Sequence, residues 1–147
     1  MIRVKVARSE YGYAYLEDGT IVLIRPVIVN VIETGPKYPT GPSFMTQNQI
    51  VVTVITPPEL KEVVKDKPRP TGTNFWFNPD IWAIIPIKES TPGIDSVYYD
   101  CEDGRKYLIE LEAYPDIISR TLEYKDEMGS PIYHIRYSTR LSVKLAD

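Results

Sequence analysis

The sequence predicts an all-β fold: a single-domain β-barrel or two-sheet sandwich of about eight to ten mostly antiparallel strands with one short helix. Three observations carry this prediction. β-Branched residues dominate the run Thr20–Glu33, and shorter runs of alternating apolar and polar residues recur along the chain. Turn signals such as Asp18-Gly19 and Asp103-Gly104 lie between these runs and are typical of β-hairpins.

Thr20–Glu33 is predicted to be one long buried strand, because its β-branched residues and the preceding turn favour a strand over a helix. Pro26 interrupts it. Proline donates no hydrogen bond to a neighbouring strand, so Pro26 predicts a bulge, a bend or an edge position between Ile21–Arg25 and Val27–Ile32. A bend there would allow the strand to pass from one sheet to another.

Length and charge bound the class of protein. The 147 residues suit one domain, residues 1–147, with a sizeable core. With 17 basic and 20 acidic residues the net charge is −3. No overall positive field therefore attracts nucleic acid or an anionic membrane, and any such contact must be a local patch.

The sequence contains no targeting signal that we recognise. The N-terminal MIRVKVARSE lacks a signal-type apolar block, and no apolar run approaches the roughly 20 residues that span a bilayer. We therefore expect a cytoplasmic protein without membrane contacts. One cysteine excludes an internal disulfide, and one histidine argues against a Cys/His zinc site. Thirteen prolines and two glutamines favour a heat-adapted source.

The N-terminal residues predict two strands ahead of the long one. Alternation over residues 2–7 and 11–16 gives these strands, with a tight turn between them and a two-residue turn at Asp18-Gly19 after the second. In this register Tyr15 opposes Val22, so the tyrosines of the second strand face the core. The alternative is a stacking surface for single-stranded nucleic acid, which these tyrosines would form with nearby cations.

Two hairpins are predicted in the C-terminal part. A two-residue turn at Asp103-Gly104 joins strands 94–101 and 106–113. A longer turn joins strands 117–125 and 132–145, the second of which alternates regularly between apolar and polar residues.

Residues 34–48 are predicted to form a long loop, because they contain two Gly-Pro pairs and show no periodicity. One interpretation is a proline-stiffened cover over the end of a barrel. The other is a contact loop that presents Tyr38, Phe44 and Met45 to a partner.

Aromatic residues flank the turn at residues 78–80. Phe75–Phe77 and Ile81–Ile87 are interpreted as strands, and alternation places Trp76 opposite its two phenylalanine neighbours. Trp76 is then either a core residue of a two-sided strand or an exposed anchor for a partner.

The one predicted helix is near Pro57–Val64. It follows the strand Gln49–Ile55, and Thr56–Glu59 has the spacing of a capping box. Residues 65–73 then alternate charge with proline and are predicted to be an extended, exposed connector.

Two groups of cations are candidates for contact with nucleic acid. The connector contributes Lys65, Lys67 and Arg69, which are otherwise solvated. The last strand contributes Arg136, Arg140 and Lys144 on one face, where alternate positions are about 7 Å apart, close to the spacing of phosphates in an extended strand. Glutamates on neighbouring strands are the alternative partners of this second group.

No catalytic, metal or cofactor site is predicted. The acidic residues around Asp103-Gly104 match a hairpin turn rather than a calcium loop. Cys101 lies between acidic residues, which disfavour its thiolate, so an inert packed thiol is expected. His134 is expected to face Glu123 across a strand pair, with a general base as the alternative. The glycines are dispersed among turns and form no phosphate cradle.

These observations predict a non-enzymatic binding or assembly module that contacts a protein partner or itself. Strands that are apolar on both faces, Val27–Ile32 and Ile81–Ile87, need cover on each side, so a homodimer is expected. One alternative is single-stranded nucleic-acid binding on a barrel face. The other is an enzyme with a carboxylate or tyrosine site that the sequence does not reveal.

Overall fold

Two antiparallel β-sheets make up this fold. A computed structural model describes residues 2–39 and 41–146, without the side chains of residues 35–38. The described residues form nine strands and one α-helix, and a two-sheet sandwich fits their arrangement. The predicted all-β class is therefore confirmed, with the sandwich as the architecture that fits. That the chain is one domain stays a prediction.

The strands divide between a five-stranded and a four-stranded sheet. Sheet A contains β1 (Val4–Glu10), β5 (Ala83–Ile84), β7 (Gly93–Asp100), β8 (Lys106–Lys125) and β9 (Pro131–Leu145). Sheet B contains β2 (Gly12–Leu16), β3 (Ile21–Tyr38), β4 (Gly41–Ile55) and β6 (Ile87–Thr91). In sheet A, β8 lies between β7 and β9, and β5 pairs with it near Ser119. In sheet B the order is β4-β3-β2-β6.

Two strand pairs change sheets side by side at one corner of the sandwich. β1 passes into β2 at Tyr11, and β6 passes into β7 at Pro92. Gly12 and Gly93 allow the backbones to meet there, since a Cβ on Gly12 would lie 2.1 Å from the Gly93 nitrogen. β1 therefore pairs with β7, and the predicted hairpin between the first two strands is wrong. The passage between sheets does not occur at Pro26, because β3 pairs with β4 on both sides of it.

Pro26 lies where β3 separates from β2, just after the last pair, Gly12 and Ile24. The next backbone N–H on that edge, from Ile28, donates to the buried carboxylate of Asp95 at 2.7 Å. Pro26 thus occupies the edge position that the sequence predicts as one alternative, and Asp95 of sheet A satisfies the donor that β2 leaves free.

Three hairpins of the fold share one turn. The loops Glu17–Gly19, Glu102–Gly104 and Glu127–Gly129 each contain three residues, closed by a backbone hydrogen bond between the flanking residues. Each third residue is a glycine with φ between 78° and 88°, which is typical of a type I turn followed by a left-handed residue. The predicted two-residue turns at Asp18-Gly19 and Asp103-Gly104 are therefore wrong by one residue.

This difference of one residue reverses the faces of β2. Tyr15 opposes Ile21 and Tyr13 opposes Leu23, so Ala14 and Leu16 face the core instead. A shift of one position moves every side chain to the opposite face of a strand. The prediction that the tyrosines are buried is wrong, and Tyr11 and Tyr15 are exposed.

Other segments also differ from their predictions. The predicted loop 34–48 lies mostly in β3 and β4, which form one long hairpin. Residues 74–77 form a 3-10 helix rather than a strand. Of the predicted strand Ile81–Ile87, only Ala83–Ile84 and Ile87 lie in strands, after a second 3-10 helix at residues 79–81. The strands predicted at 106–113 and 117–125 are one strand, β8, with a bulge after Pro115. The helix α1 (Pro58–Val64) is present, but its N-cap is Pro57 and no side chain caps it.

Two apolar clusters fill the space between the sheets. One centres on Ile28, Val97, Ile109 and Leu111. The other centres on Leu16, Val22 and Ile118. α1 contacts β8 and β9 and buries Val64 completely.

Candidate functional site

An open aromatic cleft of about 570 Å³ lies on the outer face of sheet A. It is lined by Trp76, Phe77, Pro79, Trp82, Ser119 and His134. Phe77 is 82% exposed and Trp76 is 39% exposed, so the aromatic surface is open to solvent. None of these residues carries a carboxylate.

The two 3-10 turns fold the chain back so that both tryptophans meet. The Asn78 side chain accepts a hydrogen bond from the Asp80 N–H at 3.1 Å, and Pro79 fixes the start of the second turn. The rings of Trp76 and Trp82 then stack with centroids 5.1 Å apart and planes 10° apart. The Trp82 indole N–H donates to the Phe75 carbonyl at 2.9 Å, which fixes the orientation of that ring.

The floor of the cleft comes from sheet A. Ser119 of β8 and His134 of β9 are directly opposed, so His134 does not face Glu123 as the sequence predicts. The His134 ring meets Trp76 edge to face, with centroids 5.4 Å apart. Aromatic pairs of this geometry contribute about 0.5–1.5 kcal/mol beyond their buried area, so the cleft is a preformed surface.

The predicted cations lie in two different electrostatic settings. Lys65, Lys67 and Arg69 each pair with a glutamate, at 2.8, 3.5 and 3.1 Å respectively. Arg136, Arg140 and Lys144 lie exposed on β9, on the same face as His134. No carboxylate of the described residues lies within ion-pair distance of these three, and Glu112 opposes Arg140 across the strand pair.

The second candidate surface is the outer face of sheet B. Met45, Val51 and Ile55 are 55%, 50% and 48% exposed on this face. Further apolar side chains of the same face are half-buried or exposed: Tyr13, Tyr15, Ile21, Leu23, Val27 and Ile32. Arg25 is the one cation among the described residues of β3 on this face. Its guanidinium lies 5.4 Å from the Tyr11 ring and donates to Ser9 at 3.1 Å.

A carboxylate and a tyrosine also meet between the sheets. The Asp18 carboxylate accepts hydrogen bonds from Arg120 at 2.8 Å and from the Tyr133 hydroxyl at 2.9 Å. Burial raises the pKa of Asp18, but hydrogen bonds from Thr20, Tyr133 and Arg120 outweigh burial, and the net pKa lies below 3.8. Burial and the Asp18 carboxylate raise the pKa of Tyr133 to about 12. Neither group titrates near neutral pH, as an efficient general acid or base does.

Cys101 lies in a second cluster of this kind. Its Sγ donates to Glu33 at 3.0 Å, and the Tyr99 hydroxyl donates to the same carboxylate at 2.8 Å. Burial, and then the hydrogen bond to Glu33, raise the pKa of the Cys101 thiol. A thiol that holds its proton is a poor nucleophile, which agrees with the inert packed thiol expected from the sequence.

The predicted partner-binding residues do not lie together. The Tyr38 side chain lies outside the described part of the chain, and Phe44 packs inward against Tyr99 and Tyr107. Met45 is exposed on sheet B, whereas Trp76 lies in the cleft on sheet A. Their roles in binding stay predictions.

The sequence reasoning missed two parts of these surfaces. The Asn78-Pro79 turn between Trp76 and Trp82 is the signal that both tryptophans belong to one folded-back segment. The run Gln49–Ile55 is apolar at consecutive positions, which indicates that both faces of β4 carry apolar side chains.

No family model, curated protein or solved structure matches this chain. Among the described residues, no helix is long and apolar enough to cross a membrane. No group of three or more potential metal ligands occurs within the same residues.

Proposed function

We propose that this chain is a non-enzymatic binding and assembly module that forms a homodimer through the outer face of sheet B. The observation that carries the proposal is the set of apolar side chains that β2, β3 and β4 present on this face beside Thr53, Gln49 and Arg25, among which Met45, Val51 and Ile55 are about half exposed. Antiparallel sheets of soluble proteins usually present a polar face to water, so an apolar face of this extent favours a protein partner.

The size of the face fits a second copy. It spans about twelve residues of β3, about eleven of β4 and about four of β2, which is roughly 430 Å² in projection. A standard interface buries about 800 Å² of each partner, so an interface of that size would cover this whole face together with residues at its margins. Two such faces would pack at about 10 Å, as sheets do in a sandwich.

The distribution of charge supports the same partner. Arg25 is already engaged by Tyr11 and Ser9 and leans towards the corner of the sandwich. Interface cores are depleted in charged residues, and a self-complementary patch around a two-fold axis must avoid placing like charges together. The enzyme alternative has less support, because the partly buried carboxylates of Asp18 and Glu33 are occupied by partners within the fold.

Sedimentation equilibrium or light scattering over a range of concentrations tests this proposal. We expect a dimer for the natural chain and a monomer for Val51→Lys, since a buried lysine at the centre of the face has no partner. Val63→Lys is the matched control, because Val63 is 54% exposed on α1, away from sheet B. A natural chain that is monomeric at high concentration, or equal dissociation of both variants, contradicts the proposal.

A further inference from the structure

We infer that the aromatic cleft and the cations of β9 form one site for single-stranded nucleic acid, with a base in the cleft and phosphates along Arg136, Arg140 and Lys144. This site lies on sheet A and goes beyond the proposed dimer, which uses sheet B. In such a dimer the two sites would face away from the interface, with one site on each protomer.

The stacking surface is the first argument. Bases stack on aromatic side chains irrespective of sequence, because every base has a π-face. Trp76 and Trp82 provide two stacked indoles, Phe77 is almost fully exposed beside them, and Ser119 and His134 supply polar atoms at the floor. The cleft carries no carboxylate that would repel a phosphate close to the base.

Charge and spacing are the second argument. Arg136 follows His134 by two positions on the same face of β9, which places it about 7 Å along the strand. Arg140 and Lys144 continue the same line at about 13 Å intervals, each of which spans about two phosphates of an extended strand. These three cations have no ion pair among the described residues, whereas Lys65, Lys67 and Arg69 are already neutralised and do not belong to the site.

Carboxylates nearby set the strength of the site. Glu112 opposes Arg140, and Glu110 lies one row farther along β8. Both also attract Arg8, whose guanidinium is hydrogen-bonded to Glu10. Asp116 accepts a hydrogen bond from the Ser138 hydroxyl. With these acids on the same face, the site would compensate for only a few phosphates, so the binding is expected to be modest and to depend on salt.

The chain carries its own reporter for this site. Its two tryptophans are Trp76 and Trp82, so all indole fluorescence arises at the cleft. The probe is a short single-stranded oligothymidylate, titrated at several salt concentrations. We expect quenching, and an affinity that falls with salt with a logarithmic slope of about −2, because three cations at about 0.7 each contribute.

Variants separate the two halves of the site. Trp76→Ala is expected to weaken binding about 5- to 150-fold through lost stacking, with Trp82 still reporting. Arg140→Gln is expected to weaken binding and lower the slope by about 0.7, whereas Glu112→Gln, which removes the opposing carboxylate, is expected to tighten it. Lys88→Gln is the control, since Lys88 is exposed on β6 of the other sheet.

Several outcomes would overturn the inference: no quenching at low salt, unchanged binding in Arg140→Gln, or thymidine monophosphate binding as tightly as the oligonucleotide. Quenching by a proline-rich peptide without salt dependence, and none by the oligonucleotide, would assign the cleft to an extended peptide instead. Repeating the titration with Val51→Lys keeps the result independent of dimer formation.

Discussion

The outer faces of the two sheets differ in the kind of surface they offer to solvent. Sheet A presents carboxylates of β8 beside cations of β9, with the aromatic cleft at one end. Sheet B presents valine, isoleucine, leucine and tyrosine over three adjacent strands. Sheet A follows the usual pattern of a solvated antiparallel sheet, and sheet B does not.

The roles proposed for the two faces would separate assembly from ligand binding within one fold. An apolar sheet face gains by excluding water against a second sheet, which favours a flat, self-complementary partner. A charged face with an aromatic cleft gains little from such packing but fits a ligand that stacks and carries charge. The two faces remain distinct only while the sandwich holds its two sheets together. Variants of three residues that connect the sheets, Gly93, Asp18 and Asp95, test this.

The largest effect is expected at the corner where the strands change sheets. A Cβ on Gly93 would lie 2.6 Å from the Ile24 carbonyl oxygen and 2.8 Å from the Pro26 ring, so Gly93→Ala must displace backbone. We expect it to lose at least about 3 kcal/mol of stability or to fail to fold. Gly72→Ala is the control, because nothing lies within 4 Å of its Cβ and only its φ of 86° causes strain. Similar denaturation midpoints for the two variants would show that the corner is not close-packed.

The sequence determines the strands of this fold better than their registers. Alternation and β-branching locate most strands, and Pro57–Val64 locates the helix. Asp18-Gly19 and Asp103-Gly104 suit a two-residue turn, but the preceding glutamate joins each loop and shifts the register by one residue. The register of β2 depends on which of its two faces is buried. Ala14 and Leu16 lie in the core cluster with Ile118 of sheet A.

The candidate surfaces were predicted only in part. Trp76 was identified as a possible anchor, and Arg136, Arg140 and Lys144 share a face as predicted. The link between them depends on His134 lying opposite Ser119, which follows from the bulge between Thr121 and Lys125 in β8. A bulge has no reliable sequence signature, so pairs beyond it cannot be assigned from alternation alone.

The second largest loss of stability is expected when the ion pair between Asp18 of the β2–β3 turn and Arg120 of β8 is removed. Asp18→Ala leaves Arg120 largely buried without its partner, and we expect a loss of about 3–5 kcal/mol in thermal or chemical unfolding. Asp103→Ala is the matched control, since Asp103 occupies the same turn position and also accepts from a backbone N–H and a tyrosine. Because Arg120 is adjacent to Ser119 of the cleft in β8, Asp18→Ala should change the tryptophan fluorescence of the cleft while the proposed dimer persists.

The same ion pair predicts how the stability of the fold depends on pH. The pKa of Asp18 is lower in the folded chain than its ordinary value of 3.8. The unfolded chain therefore binds the proton first, so this stabilisation is present above pH 3.8 and is lost as the pH falls towards the folded pKa. Unfolding midpoints between neutral pH and pH 2 should fall less steeply in Asp18→Asn than in the natural chain. If the midpoints of Asp18→Asn and of the natural chain fall in parallel with pH, Asp18 does not contribute to acid unfolding.

The smallest effect is expected at Asp95 of β7. Its carboxylate accepts a hydrogen bond from the Ile28 N–H and so joins sheet A to β3 of sheet B. Asp95→Ala leaves the Ile28 N–H buried without an acceptor, which costs about 1–3 kcal/mol. Asp95→Asn keeps an acceptor oxygen and should lose less. Since Ile28 adjoins Val27 on the apolar face, Asp95→Ala should accelerate hydrogen exchange of the Ile28 amide and weaken the proposed dimer, while the tryptophan fluorescence stays unchanged. If Asp95→Ala disturbs the cleft as strongly as the dimer, the two faces are not independent, and the separation of assembly from ligand binding fails.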